Sequence, residues 1–314
     1  MRGIFDVHSH FIISEYMGSL KQHGRAMEDG FPSPMWCVKE HLDYMAMAGI
    51  EKCLLSMSSP HFHSGDAKEA VNIGRRFDET ASDLKNKYPD KFLFAASLPV
   101  PEIDEAITAM NYAYDVLGAD AVKLPSNALG IYPGDPSMDA LFNAMNERNA
   151  VLLLHPTAPV AVPGGCFTAG PLPLMEFIGD TTRAVINLIT TGTLEKYPDI
   201  KVIVPHCGSF LPNLIDRLTG ITKVLAAKGI GQPVDVSKSM KFLYFDVAGD
   251  CLPAGIDILM TMTDEDHIMF GGDFPYTPKE MIANKVKALE NSEKIRPYRD
   301  KLMYENAAGL FGAK

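Results

Sequence analysis

Short runs of β-branched, aliphatic and aromatic residues alternate along this chain with longer stretches in which apolar positions recur every three or four residues. The first pattern predicts buried strands and the second amphipathic helices. Eight strands are expected, near Ile4–Val7, Lys52–Met57, Phe92–Ser97, Ala121–Leu124, Val151–Leu154, Val202–Val204, Phe242–Asp246 and Ile268–Gly271. Helices are expected over Val38–Ala48, Asp66–Lys87, Ile103–Leu117, Met138–Arg148, Thr181–Lys196, Leu211–Ala227, Ala254–Met262 and Pro278–Leu289. Strands that alternate singly with helices build a parallel sheet, and eight of them close an α/β structure into a (β/α)8 TIM barrel. A chain of 314 residues suits one such domain, spanning 1–314. Three long loops interrupt the rhythm, at 11–36, 58–65 and 156–173. Each follows a strand, which puts it over the mouth of the barrel, where catalytic groups gather.

Several of the predicted strands run into a residue that can bind a metal. Ile4–Val7 leads to His8 and His10, Val151–Leu154 to His155, Val202–Pro205 to His206, and Ile268–Gly272 to Asp273. Residues two apart on a strand share a face, so His8 and His10 can point at one ion. His155 and Asp273 would reach the same ion from across the barrel and from the neighbouring strand. Imidazoles with a carboxylate suit Zn, Mn, Fe or Ni, and the absence of thiolates argues against a structural zinc site. One divalent ion is expected, zinc first and manganese as the alternative. His206, with its near-neutral reference pKa, is read as a catalytic acid or base rather than a ligand. Asp6 either orients a ligand or makes a structural hydrogen bond low in the barrel.

Two further features compete for attention. The second H-x-H, at His61 and His63, sits in a loop without strand support, so substrate contact or plain exposure is expected rather than ligation. Lys123 closes the fourth strand; a carbamylated lysine there would bridge two metals, whereas an ion-paired structural lysine is the commoner case.

Charge and cysteine usage narrow the partners. A formal net charge of -10, with no Lys/Arg cluster, opposes binding to nucleic acid or an anionic membrane surface. No stretch approaches the roughly 20 apolar residues that a membrane helix needs. The N-terminus does not read as a signal peptide. The five cysteines are scattered without a C-x-x-C pair, which suits a reducing compartment and a cytoplasmic protein. Cys207, next to His206, is read as a small buried residue rather than a nucleophile.

These residues resemble the amidohydrolase superfamily, in the branch of aminocarboxymuconate-semialdehyde decarboxylase and the nonoxidative aromatic-acid decarboxylases. The resemblance runs from Phe5-Asp6-Val7-His8-Ser9-His10 to Tyr304-Glu305-Asn306-Ala307-Ala308-Gly309-Leu310-Phe311. Thr181-Thr182-Arg183, Gly192-Thr193-Leu194, Tyr197-Pro198-Asp199 and His206-Cys207-Gly208-Ser209 are similar to the salicylate-type decarboxylases, including the 6-methylsalicylate decarboxylases. Gly134-Asp135-Pro136 and Gly272-Asp273-Phe274-Pro275 agree. The resemblance implies that His8, His10, His155 and Asp273 bind one metal with His206 beside it. It also implies that Arg217 reaches the substrate of a neighbouring subunit, hence a homodimer; a solvated helix residue is the bland alternative. One departure stands out: no Arg lies between Trp36 and Met45, where those enzymes use one for the substrate carboxylate, and His41, Lys39 or Arg25 would have to substitute.

The chemistry expected first is metal-dependent, nonoxidative decarboxylation of a small aromatic or unsaturated carboxylic acid. A proton would be delivered by Asp273 or a metal-bound water, with His206 shuttling protons. Trp36, Phe274, Tyr276 and Phe167 are candidate walls for an aromatic ring. Hydrolysis of a lactone, ester or amide on the same site is the alternative. A non-catalytic metal-binding protein is a third reading.

Overall fold

The structure, a computed structural model, describes residues 3–162, 170–230 and 233–312. Eight parallel strands form one sheet in chain order: β1 (Ile4–His10), β2 (Ile50–Ser56), β3 (Phe92–Ser97), β4 (Ala121–Pro125), β5 (Val151–His155), β6 (Lys201–Val204), β7 (Leu243–Asp246) and β8 (Ile268–Met269). The ends of the sheet meet. Val7 N–H donates to the Phe270 carbonyl (3.0 Å), Asp273 N–H to His8 (2.7 Å) and His10 N–H to Phe274 (2.7 Å). This is the (β/α)8 barrel expected from the alternation of patterns.

Strand alternation sorts the side chains into two layers. Phe5, Val7, Leu54, Leu93, Ala95, Ala121, Val151, Leu153, Ile203 and Met269 form one cluster inside the barrel. Their neighbours in sequence, such as Cys53, Phe94, Val122, Leu152, Val202 and Phe245, pack outward in the larger cluster beneath the helices. The bottom of the interior is closed by the C-terminal segment: Tyr304, Ala307 and Ala308 join the inner cluster, and the Phe311 ring lies 5.6 Å from that of Phe5. Phe5 is fully buried in this plug. Phe5→Ala should destabilise the fold by about 3–5 kcal/mol, the usual result of emptying an aromatic site. Denaturant melting checks this, and a loss below about 1 kcal/mol would contradict the packing.

The upper end of the barrel is polar. Continuing the steps of two, Leu54 leads to Ser56, Ala95 to Ser97, Ala121 to Lys123 and Leu153 to His155. On β1 the count breaks. Asp6 pairs with Cys53 but Ser9 with Leu55, so three steps on β1 match two on β2. Before this bulge Phe5 and Val7 face inward; after it His8 and His10 do. Asp6 and Ser9 instead face the helix Val38–Ala48, where they bond Tyr44 and His41. A bulge beside a site commonly re-aims a side chain, and here it turns two imidazoles into the barrel mouth.

Three expectations about local structure are corrected. His8 and His10 lie within β1 rather than after it. The loop 11–36 contains a helix, Ser14–Gln22, whose Tyr16 and Leu20 are buried. The helix expected at Thr181–Lys196 runs instead over Glu176–Thr190, with a separate turn at Thr193–Lys196. Between them Gly192 adopts φ +72°, the left-handed stop that glycine favours after a helix. No helix among the described residues is long and apolar enough to cross a membrane.

Candidate active site

Four of the residues singled out in sequence converge at the mouth. One ligand-type atom from each of His8, His10, His155 and Asp273 lies within 4.8 Å of the others. The Asp273 Oδ1 is 3.2 Å from His10 Nε2 and 3.6 Å from His8 Nε2. Both of those nitrogens are buried and have no hydrogen-bond partner among the described residues. The opposite nitrogen of each imidazole is held. His8 Nδ1 is 2.8 Å from Asp246 Oδ2, His10 Nδ1 3.3 Å from the Ser56 carbonyl, and His155 Nδ1 2.8 Å from the Pro156 carbonyl. An acceptor at Nδ1 keeps the proton there and turns the Nε2 lone pair toward the centre. Three inward lone pairs and a carboxylate form a donor set that a divalent ion fits.

Charge in the cluster is arranged around an ion as well. Burial opposes a charge on His8, but the adjoining Asp246 carboxylate outweighs it and raises the pKa to about 9. Burial lowers His10 to about 4 and drives His155 well down. Burial would raise Asp273, yet the neighbouring imidazoles of His10, His206 and His8 hold it well below the carboxylate range. In the protein without metal, the His8 proton stands where the ion's charge would be.

Asp246 was not singled out in sequence, although it ends a predicted strand much as His155 follows one. Besides holding His8, its Oδ1 accepts the backbone N–H groups of His206 (3.1 Å) and Ala248 (2.9 Å). One carboxylate thereby aligns a ligand and the turn carrying His206. Asp246→Asn should weaken metal affinity about 10–100-fold, as loss of such a supporting carboxylate does. Titration with a competing chelator measures it, and unchanged affinity would remove this role.

His206 starts a turn in which His206, Cys207, Gly208 and Ser209 all have φ between 53° and 71°. Consecutive left-handed residues cost L-amino acids energy. The Ser209 N–H to His206 carbonyl bond (2.9 Å) and the Asp246 contacts hold the turn in place. His206 Nε2 ends 3.8 Å from Asp273 Oδ2, close to the cluster but outside its four-atom set.

Asp6 is buried, accepting from Tyr44 O–H (2.6 Å) and from the backbone N–H of His8 (3.0 Å) and Gly272 (2.8 Å). It ties β1 to the segment carrying Asp273. Gly272 is required there, since a Cβ would lie 2.1 Å from the Tyr44 hydroxyl.

A cavity of about 190 Å³ opens above the cluster, lined by Asp29, Phe31, Ser58, Ser59, His155, Pro173, Phe177, Ile178, His206, Asp273 and Tyr276. Of the aromatic walls expected, Tyr276 is among these. Phe274 stacks on Tyr44 at 4.4 Å, and Trp36 donates from Nε1 to His41 Nδ1 (3.0 Å), so both stand behind the cavity. Phe31 and Phe177 line it instead. Phe167 and Cys166 lie outside the described residues. Arg217 is exposed on the helix Leu211–Ala227 and is not among the residues lining the cavity.

Arg25, Lys39 and His41 also lie elsewhere. Arg25 pairs with Glu28 and donates to the His61 and His63 carbonyls; Lys39 pairs with Asp43; His41 is buried against Ser9 and Trp36. His61 and His63 are buried rather than exposed, His61 Nε2 lying 3.0 Å from the Val100 carbonyl. The Lys123 ammonium donates to the Ser58 carbonyl (3.2 Å) and is no part of the ligand group.

Several known proteins are similar to this chain over most of its length. A decarboxylase of Penicillium terrestre is 30% identical over 91% of this chain and 88% of its own. The 6-methylsalicylic acid decarboxylase of Penicillium expansum is 27% identical over 97% of this chain and 94% of its own. A crystal structure described as an amidohydrolase II superposes with TM-score 0.93 at 33% identity, covering 98% of this chain and 99% of that one. The same fold occurs in a manganese-bound 5-carboxyvanillate decarboxylase of Novosphingobium aromaticivorans, with TM-score 0.83, 20% identity, and coverage of 98% and 96%. The amidohydrolase family pattern matches residues 5–313, and the chain belongs to that family.

Proposed function

We propose that the protein is a metal-dependent, nonoxidative decarboxylase of a small aromatic hydroxycarboxylic acid, acting on one barrel domain spanning 1–314. The observation that carries the reading is the inward-facing group of His8, His10, His155 and Asp273 beneath a small, partly aromatic cavity. The decarboxylase names of the relatives support it. Those four residues would hold the ion. Zinc is the ion we assign from three imidazoles and one carboxylate, with manganese, present in the related carboxyvanillate enzyme, as the alternative. When bound, such an ion supplies Lewis acidity and fixes an acidic substrate through its oxygens.

The chain's own residues then handle the proton. Asp273 and His206 face the same cavity and stand 3.8 Å apart, a pair suited to passing a proton to the ring carbon that bears the carboxyl group. Once that carbon is protonated, the bond to the carboxyl breaks, CO2 leaves, and the electron pair restores the aromatic ring. Phe31, Phe177 and Tyr276 flank the ring, and the cavity, below the ~300–1,000 Å³ usual for drug-sized ligands, limits the substrate to a small one. Arg217, exposed on its helix, is assigned to the cavity of a second copy in a homodimer. The free thiols of Cys37, Cys53, Cys207 and Cys251 agree with a cytoplasmic setting.

Metal-loaded protein incubated with hydroxybenzoates, lactones and esters, with products read by mass spectrometry, tests the reading. Loss of CO2 from a hydroxy acid is expected. Gain of water by a lactone or ester, without CO2 release, would make the protein a hydrolase.

A further inference from the structure

The cavity wall carries a carboxylate outside the ligand group. Asp29, from the loop after β1, lines it together with His155, His206 and Asp273, yet is only 2% exposed. Among the described residues its carboxylate accepts one hydrogen bond, from Ser59 Oγ at 3.2 Å. An ionised carboxyl has room for about four, and a buried one left unfilled is costly.

Among the described residues no other hydrogen bond reaches it, and the neighbouring donors bond elsewhere. Arg25 is committed to Glu28 and to the carbonyls of His61 and His63. Lys123 donates to the Ser58 carbonyl and Met57 Sδ. The Tyr276 hydroxyl donates to the Ser59 carbonyl (3.1 Å). The Asp29 backbone is held separately, its carbonyl accepting from Leu172 N–H (3.0 Å), which fixes the carboxyl against the cavity wall. The Asp29 carboxyl is raised to about 7, chiefly by burial, and in either protonation state it can accept a bond. Phe31, Phe177, Ile178 and Pro173 share the rest of the wall with Ser58, Ser59 and Tyr276, so the cavity is largely apolar and carries an acceptor besides the ligand cluster.

We propose that Asp29 is a specificity-determining residue: it accepts a hydrogen bond from a second donor on the substrate ring and so selects a hydroxyl over a methyl at that ring position. This rests on the decarboxylase reading for the orientation of the substrate. The carboxylate of the acid goes to the ion-binding end, because like charges repel when buried together. The edge of the ring that meets Asp29 then carries a neutral donor.

The test uses ortho-nitrophenols, in which a nitro group replaces the carboxylate and cannot be lost as CO2. Each remaining ring position carries in turn a hydroxyl or a methyl, and binding to the zinc-loaded and the manganese-loaded protein is measured by calorimetry. At one position hydroxyl should be preferred over methyl by about 10–100-fold. Asp29→Ala should erase that preference while methyl probes bind as before, and Asp29→Asn, which keeps one acceptor oxygen and the shape, should retain part of it. Absence of any hydroxyl preference, absence of binding by every probe, or a preference that survives in Asp29→Ala would overturn the assignment. The corresponding acids are assayed in parallel. The expected preference without CO2 loss from any acid would retire the decarboxylase reading and leave Asp29 its role; CO2 loss without the preference would do the reverse.

Discussion

Asp273→Asn is expected to abolish decarboxylation, with kcat reduced by about 10³-fold or more, within the range that positioned proton transfer contributes. The substitution keeps the shape of the side chain and an oxygen beside His10 and His8, but it removes the group that can take up and release a proton. It also removes the charge that the neighbouring imidazoles of His10, His206 and His8 maintain. Metal content and kcat should therefore be measured together. If Asp273 serves only to hold the ion, supplying excess metal should restore the rate. Our reading expects the loss to persist in metal-saturated protein, and near-normal turnover there would end Asp273's role in proton transfer.

Removing the metal is the second large effect. A chelator should eliminate turnover and lower the melting temperature by on the order of 5–10 °C, because an ion bound at about a thousandfold its Kd contributes ~4 kcal/mol. The sign of the pH dependence follows from His8. Its pKa is raised from 6.5 to about 9 in the folded protein without metal. The corresponding stability is fully present below about pH 6.5 and is lost as pH rises through about 9. Metal-free protein should thus melt progressively lower between these limits. Metal-bound protein, in which His8 has already given up that proton, should show no such decline. Uptake of the ion should release a proton at neutral pH, and affinity should fall on acidification. A melting temperature indifferent to both chelator and pH would mean that the cluster holds no ion.

The parts of the barrel that repeat were legible because burial imposes periodicity. Val151, Leu153 and His155 follow one another in steps of two, so an inward imidazole could be expected at the end of β5. Leu211–Ala227 was bounded to the residue by its pattern. What escaped depended on partners distant in sequence. The pairing of β1 with β2 decides the bulge at Val7–His8, and nothing within β1 announces it. Asp29 stands in a loop without period, and its burial comes from Ser59 and Pro171–Leu172. Phe31 was missed as a wall residue for the same reason and Phe177 because its helix starts at Glu176, ahead of the expected Thr181, while Trp36 and Phe274 are held behind the wall by His41 and Tyr44. Two misses did leave signals. Gly192 marked the true end of its helix, and Ile13, Tyr16, Met17 and Leu20 keep helical spacing inside a stretch read as loop.

The bulge on β1 divides that strand into two halves with different obligations. Phe5 and Val7 serve the packed interior; His8 and His10 serve the cluster above it. Unbroken alternation through the same residues, without the bulge, would keep Phe5 and Val7 inward and rotate the upper half by one face. Both imidazoles would then point at the helix Val38–Ala48, while Ser9 would turn into the mouth. The chain could still close its barrel, but the site would lose two ligands at once. The capacity to bind an ion therefore rests on how one strand pairs with its neighbour as firmly as on which residues it contains.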